Sequence, residues 1–133
     1  ARVTSLTNTH AWAKAGVMLR VGLDAGSAHA LVAVTPARGV VFQRRTAPQD
    51  GSLHTSGSTA RAPRWVRLDR AGAVITGSES ADGAAWTAIG AQTYANMPAT
   101  LRAGLAVSSH VVGTAATATF TGVRVTGGTG AAN

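Results

Sequence analysis

The chain has 133 residues, of which only 13% are charged, with a formal balance of +7 and no cysteine. That length closes one core and one domain, and the missing thiols exclude disulfides, thiolate metal sites and cysteine nucleophiles. Aromatic residues make up 5%, so the core must come from Val, Leu and Ala packed between close layers. Two facing sheets supply such layers; a helical bundle would show long Leu stripes at helical spacing. No apolar stretch approaches the ~20 residues of a membrane span, so no membrane partner is expected. The first residue is Ala1 rather than Met and no signal peptide is visible, from which a cut ahead of this residue is expected.

Period-two alternation recurs along the chain, broken by turn chemistry. Arg2 to Leu6 reads as a first short strand. In Ala13 to Val21, Ala15, Val17, Leu19 and Val21 fall on one face, with Lys14, Gly16, Met18 and Arg20 on the other. A turn at Asp24–Ser27 leads to a strand over Ala28–Thr35, which Pro36 stops because proline cannot donate to a ladder. Gly39 to Arg45 is the next strand. Thr46 to Pro63 reads as one long irregular loop rich in Ser, Thr, Gly and Pro. Arg64 to Arg70 resumes alternation, with Val66 and Leu68 inward and Trp65, Arg67 and Asp69 outward. Ala73 to Ser80 follows the Ala71–Gly72 turn, and the Asp82–Gly83 hairpin signal leads into Ala85 to Ala91. Leu101 to Ser108 and a long Ala115–Val125 strand, with a bulge at Gly122, complete about nine strands without a helix. The fold class is therefore all-β: an antiparallel β-sandwich or jelly roll over residues 1–126, with a flexible Gly-rich tail at 127–133.

The ordered set Trp12–Arg20, Gly39–Arg45, Trp65–Gly72 with Ser80–Trp86, Gly104–His110 and Ala118–Val125 resembles the concanavalin A-like (LamG/DUF1349-like) β-sandwich modules of secreted bacterial carbohydrate-active proteins. The resemblance covers nearly the whole chain and implies an extracellular accessory module that binds a polysaccharide. It also implies further strands ahead of Ala1, so one sheet is expected to show an open edge. Such an edge would pair with the missing segment or with another copy of the chain.

The residues themselves argue against catalysis. Glycoside hydrolysis needs two carboxylates about 5 to 9.5 Å apart, and the chain has five acidic residues, with Glu79 its only glutamate. Asp24, Asp50 and Asp82 fall in turn or loop contexts. Asp69 and Glu79 could face each other across their hairpin, although surface ion pairing is the simpler role. No GxSxG elbow is present. His10, His29, His54 and His110 lack metal-ligand spacing, with His10 and His110 expected at one rim. No cofactor is expected, since a calcium cage would depend on backbone carbonyls of the Asp24 or Asp50 loops.

Nucleic acid is disfavoured as a partner, because the arginines are scattered singly apart from Arg44–Arg45. A glycan site on a sheet face is favoured. Trp65 would be its aromatic platform, with Arg67 beside it and Arg20, Gln43 and Arg45 bonding hydroxyls; Trp12 and Tyr94 are further candidates. Ser80–Trp86 resembles an Asp-box hairpin, in which Asp82 ties the turn and Trp86 packs into the core. The arginine surplus points to an anionic glycan.

Overall fold

The computed structural model describes residues 1–127. Ten strands alternate in chain order: β1 (Arg2–Leu6), β2 (Lys14–Arg20), β3 (His29–Val34), β4 (Val40–Arg45), β5 (Leu53–Ser56), β6 (Arg64–Ala71), β7 (Val74–Ser80), β8 (Thr87–Thr93), β9 (Arg102–Ser108) and β10 (Ala118–Thr121). They form two five-stranded antiparallel sheets packed face to face. The front sheet runs β5-β4-β3-β2-β9 and the back sheet β10-β1-β6-β7-β8. The antiparallel β-sandwich is thus present, with no helix among the described residues. No helix is therefore long and apolar enough to cross a membrane.

The core follows the alternation. Ala15, Ala30, Val32, Val34, Val40 and Phe42 of the front sheet meet Val3, Val66 and Ile75 of the back sheet, with Tyr94 beside them. All of these are fully or almost fully buried. The largest side chain fits because two glycines make room for it. Gly77 and Gly90 stand opposite each other on β7 and β8. A Cβ on Gly77 would lie 2.8 Å from Phe42 Cδ1 and 2.7 Å from Val32 Cγ2, and one on Gly90 would lie 3.4 Å from the Phe42 ring. The pair forms a hollow into which the phenyl ring seats, the close backbone approach for which a strand glycine is suited.

Three expectations change. The Thr46–Pro63 loop contains β5, whose Leu53-His-Thr-Ser sequence is too polar to announce a strand but pairs with β4 at the sheet edge. The long C-terminal strand is only β10, because Gly122 enters the left-handed region at φ 58° and ends the ladder. Asp69 and Glu79 do not face each other: Asp69 pairs with Thr76, and Glu79 pairs with Val66 on the inward side.

Glu79 is also no surface ion. It is buried and accepts hydrogen bonds from Ser58 N at 2.8 Å, Ser58 Oγ at 2.5 Å, Arg64 Nε at 3.0 Å and Arg64 Nη2 at 2.7 Å. Burial alone would raise its pKa. The Ser58 and Arg64 bonds together outweigh that and hold the carboxyl below its ordinary value. The network ties the segment after β5 to the end of β7. Residues 128–133, most of the expected tail, lie outside the described residues.

The first strand is not an edge. β1 lies between β10 and β6, and the edges are β5 and β9 in front, β8 and β10 behind. β9 is unusual among them. Leu105 and Val107 pair with Val17 and Ala15 and so share their inward side, yet both are 45% exposed.

Candidate functional site

The outward side of the front sheet is where polar and aromatic groups gather. Two loops place them. In the β1–β2 loop, Ala13 N donates to His10 O at 3.0 Å and Trp12 N to His10 Nδ1 at 3.0 Å, which fixes the indole next to the start of β2. Thr9 Oγ1 donates to Ser109 O at 2.7 Å, pinning this loop to the one after β9. His10 and His110 consequently stack with ring centroids 4.5 Å apart, at one rim as expected.

Trp12 packs over Leu31, Ala33 and Val41, a small apolar cluster outside the main core. Cations gather about its ring: Lys14 Nζ and the Arg38 guanidinium each lie 5.5 Å from the centroid. Arg38 is held there by the β3–β4 hairpin. Its N–H donates to Thr35 Oγ1 at 2.8 Å, and Thr35 Oγ1 donates to Gly39 O at 2.8 Å. His54 meets the indole edge-on at 5.5 Å. Gln43 Nε2 lies 3.3 Å from His54 Nδ1, and His54 Nε2 lies 3.2 Å from Ser56 Oγ.

Trp12, Lys14, Gln43, His54 and His110 line an open groove of about 470 Å³. Lys14 spends one donor on Trp12 O at 2.9 Å, and partial burial lowers its pKa. Desolvation first, then the charges of Lys14 and His10, lower that of His110.

The other sequence candidates divide between the two sheets. Arg20 and Arg45 are on the same outward side as Gln43, at the far end of β2 and β4. Arg20 donates to Gly22 O at 2.9 Å and Asp24 O at 2.6 Å; Arg45 donates to Asp50 O and Ala25 O, both at 2.7 Å. Both therefore brace loops as well as lining a face.

Trp65 and Arg67 do not join them, because β6 belongs to the back sheet. Trp65 is wedged between two turns: a Cβ on Gly83 would lie 2.8 Å from its ring and one on Gly122 2.6 Å. Arg67 stacks on Trp86 at 4.2 Å, and its Nε lies 2.7 Å from Asp69 Oδ2 without the alignment of a hydrogen bond. Trp86 is thus half-buried beneath an arginine, not in the core, and Trp65 takes the place under the Asp82 hairpin. Asp82 itself ties the turn as expected, accepting from Ala84 N and Ala85 N at 2.9 Å and from Ser80 Oγ at 3.1 Å. Tyr94 is withdrawn as a binding residue. It is buried, and its hydroxyl donates to His29 O at 2.8 Å.

No protein-family model, curated protein or solved structure matches the chain at a significant level.

The groove holds donors, imidazoles and an aromatic wall but no carboxylate. Among the described residues no three of His, Cys, Asp or Glu come together as metal ligands. Its cations and N–H groups can meet oxygens, and its indole with an apolar floor can meet a flat ring. Lys14, His54, Arg38 and His110 were not chosen from the sequence. Lys14 lay on the outward face of the clearest strand, so the alternation already carried that signal. Arg38 and His110 sit in loops that have no period to orient them.

Proposed function

We propose that this chain is a non-catalytic carbohydrate-binding accessory module, of the concanavalin A-like kind that its sequence resembles, working outside the cell on a bacterial protein. The observation that carries the reading is the open groove on the outward front sheet, where Trp12 stands beside Lys14, Gln43, His54 and His110. A sugar ring presents C–H groups to an aromatic wall and hydroxyls to amide, imidazole and ammonium groups. The test is binding to a panel of immobilised polysaccharides by the whole chain and by Trp12→Ala. Retention of at least one polysaccharide, weakened about tenfold or more in Trp12→Ala, supports the reading. Retention that ignores Trp12→Ala removes the groove as the site.

A second reading rests on β9. Its inward Leu105 and Val107 are 45% exposed, and from Ala103 to Ser108 the strand carries no charge, proline or lysine to protect its edge. A second copy paired antiparallel about Leu105 would set Ala103 against Val107 and Arg102 against Ser108, so no like charges meet. The two inward apolar rows would then join. This reading predicts a dimer that Leu105→Lys dissociates, measured by sedimentation velocity; a wild-type monomer at all accessible concentrations refutes it.

A further inference from the structure

The outward side of the front sheet carries a second feature, at the opposite end from Trp12. Arg20 is the register partner of Arg102 on β9 and of His29 on β3, and His29 is the partner of Arg45 on β4. Arg102, Arg20, His29 and Arg45 therefore form one transverse row across four adjacent strands. At the usual strand spacing of about 4.8 Å this row is about 15 Å long.

The row makes no ion pair among the described residues. None of β2, β3, β4, β5 or β9 contains an Asp or a Glu. The Asp24 and Asp50 side chains of the nearby loops make no ion pair, and the two ion pairs among the described residues, Arg64–Glu79 and Arg67–Asp69, both belong to the back sheet. Arg20 and Arg45 give part of their donor sets to loop carbonyls. The Arg102 guanidinium has no partner among the described residues, and its residue is exposed. Arg102 and Arg20, like charges directly opposite each other, are mutually unfavourable. Burial and then the charges of Arg20 and Arg45 lower the pKa of His29 between the arginines, and no ion pair among the described residues offsets the row.

Between this row and the Trp12 groove lie Gly104 and Met18, with Leu31 and Ala33 buried in the cluster against which Trp12, Met18 and Ala106 pack. Lys14 stands six residues from Arg20 on the same strand, about 20 Å away. The face thus offers cationic ends with the apolar cluster under Trp12, Met18 and Ala106 between them.

We infer that the front-sheet face is a site for an acidic polysaccharide, whose carboxylate or sulfate groups meet the Arg102–Arg20–His29–Arg45 row at one end and Lys14 and Arg38 at the other. This rests on the glycan reading of the groove and names its substrate class. Single-stranded nucleic acid is the less suitable polyanion. Its non-specific sites stack successive bases on several aromatic side chains, and Trp12 is the one large aromatic on this face.

The test compares the whole chain on polygalacturonate, on a neutral galactan and on poly(dT), by titration calorimetry at about 50 and about 500 mM NaCl, with Arg102→Glu and Lys14→Gln as variants. The inference predicts binding to polygalacturonate that weakens about tenfold or more at the higher salt, where the Debye length falls severalfold. Each variant should weaken it on the order of tenfold, with the circular dichroism spectrum unchanged. Galactan bound as tightly as polygalacturonate and without salt dependence overturns the acidic class but leaves the glycan reading standing. Binding to poly(dT) alone, or to none of the three, overturns the inference, and the glycan reading falls with it when the polysaccharide panel also shows no retention. Full affinity in Arg102→Glu removes the row from the site.

Discussion

The Glu79 network offers a direct measure of what holds the end of the sandwich closed. Glu79→Gln keeps the volume and removes the charge. Four hydrogen bonds to the carboxylate are affected, two from Ser58 and two from Arg64. The carboxamide can still accept at one oxygen, but its NH2 then faces groups that are themselves donors. Breaking a fully buried pair costs about 3–5 kcal/mol; Arg64 retains 18% side-chain exposure and can turn to water, which lowers the figure. The expected loss at neutral pH is about 2–3 kcal/mol, or about 10 °C in midpoint for a chain of this size.

The pH dependence has a definite sign. The folded-state pKa of Glu79 lies below its ordinary 4.5, so the stabilisation is complete above that value and is lost as the pH falls through the folded pKa. Urea unfolding followed by tryptophan fluorescence, for wild type and variant at pH 7 and at successively lower pH below 4.5, measures the gap. It should be largest at pH 7 and shrink on acidification. A gap under about 0.5 kcal/mol at pH 7, or one that stays constant down the acid limb, would refute the account.

Three further outcomes follow from the packing. Gly77→Ala places a methyl against Val32 and Phe42 and should destabilise by about 1–3 kcal/mol in the same urea assay. Trp65→Ala should lower stability by about 2–3 kcal/mol while leaving polysaccharide retention intact, because that indole supports the turns at Gly83 and Gly122. Tyr94 is the only tyrosine. Burial, partly opposed by the Arg44 charge, pushes its phenol up to about 12. Its ultraviolet titration should therefore begin well above the ordinary 10, and stability should fall as pH rises between these values, since the unfolded chain ionises first.

Alternation made most strands legible. It placed Ala15, Val17 and Leu19 inward, and Arg20, Gln43 and Arg45 outward, as they stand in the structure. It does not say which sheet a strand joins. Trp65 and Arg20 both face outward, but from opposite layers, because β6 pairs with β1 and β7 while β2 pairs with β3 and β9. That order is set by contacts distant in sequence, so the grouping of Trp65 with Arg20, Gln43 and Arg45 could not survive. Trp12 lies in a loop, where the bonds around His10 and the packing over Leu31, Ala33 and Val41 determine its direction. Glu79 looked like a surface charge because its partner Ser58 comes from the stretch with the weakest pattern of all.

The two layers hold their cations differently. The back sheet pairs Arg64 and Arg67 with carboxylates, while Lys14, Arg20 and Arg45 of the front sheet spend donors on backbone carbonyls. An arginine not locked to a carboxylate can exchange carbonyl partners for an arriving anion, and the net charge of +7 draws anions toward the chain from a distance. That attraction reaches about one Debye length, roughly 8 Å at physiological salt, and sets the rate of encounter more than the strength of the final contact.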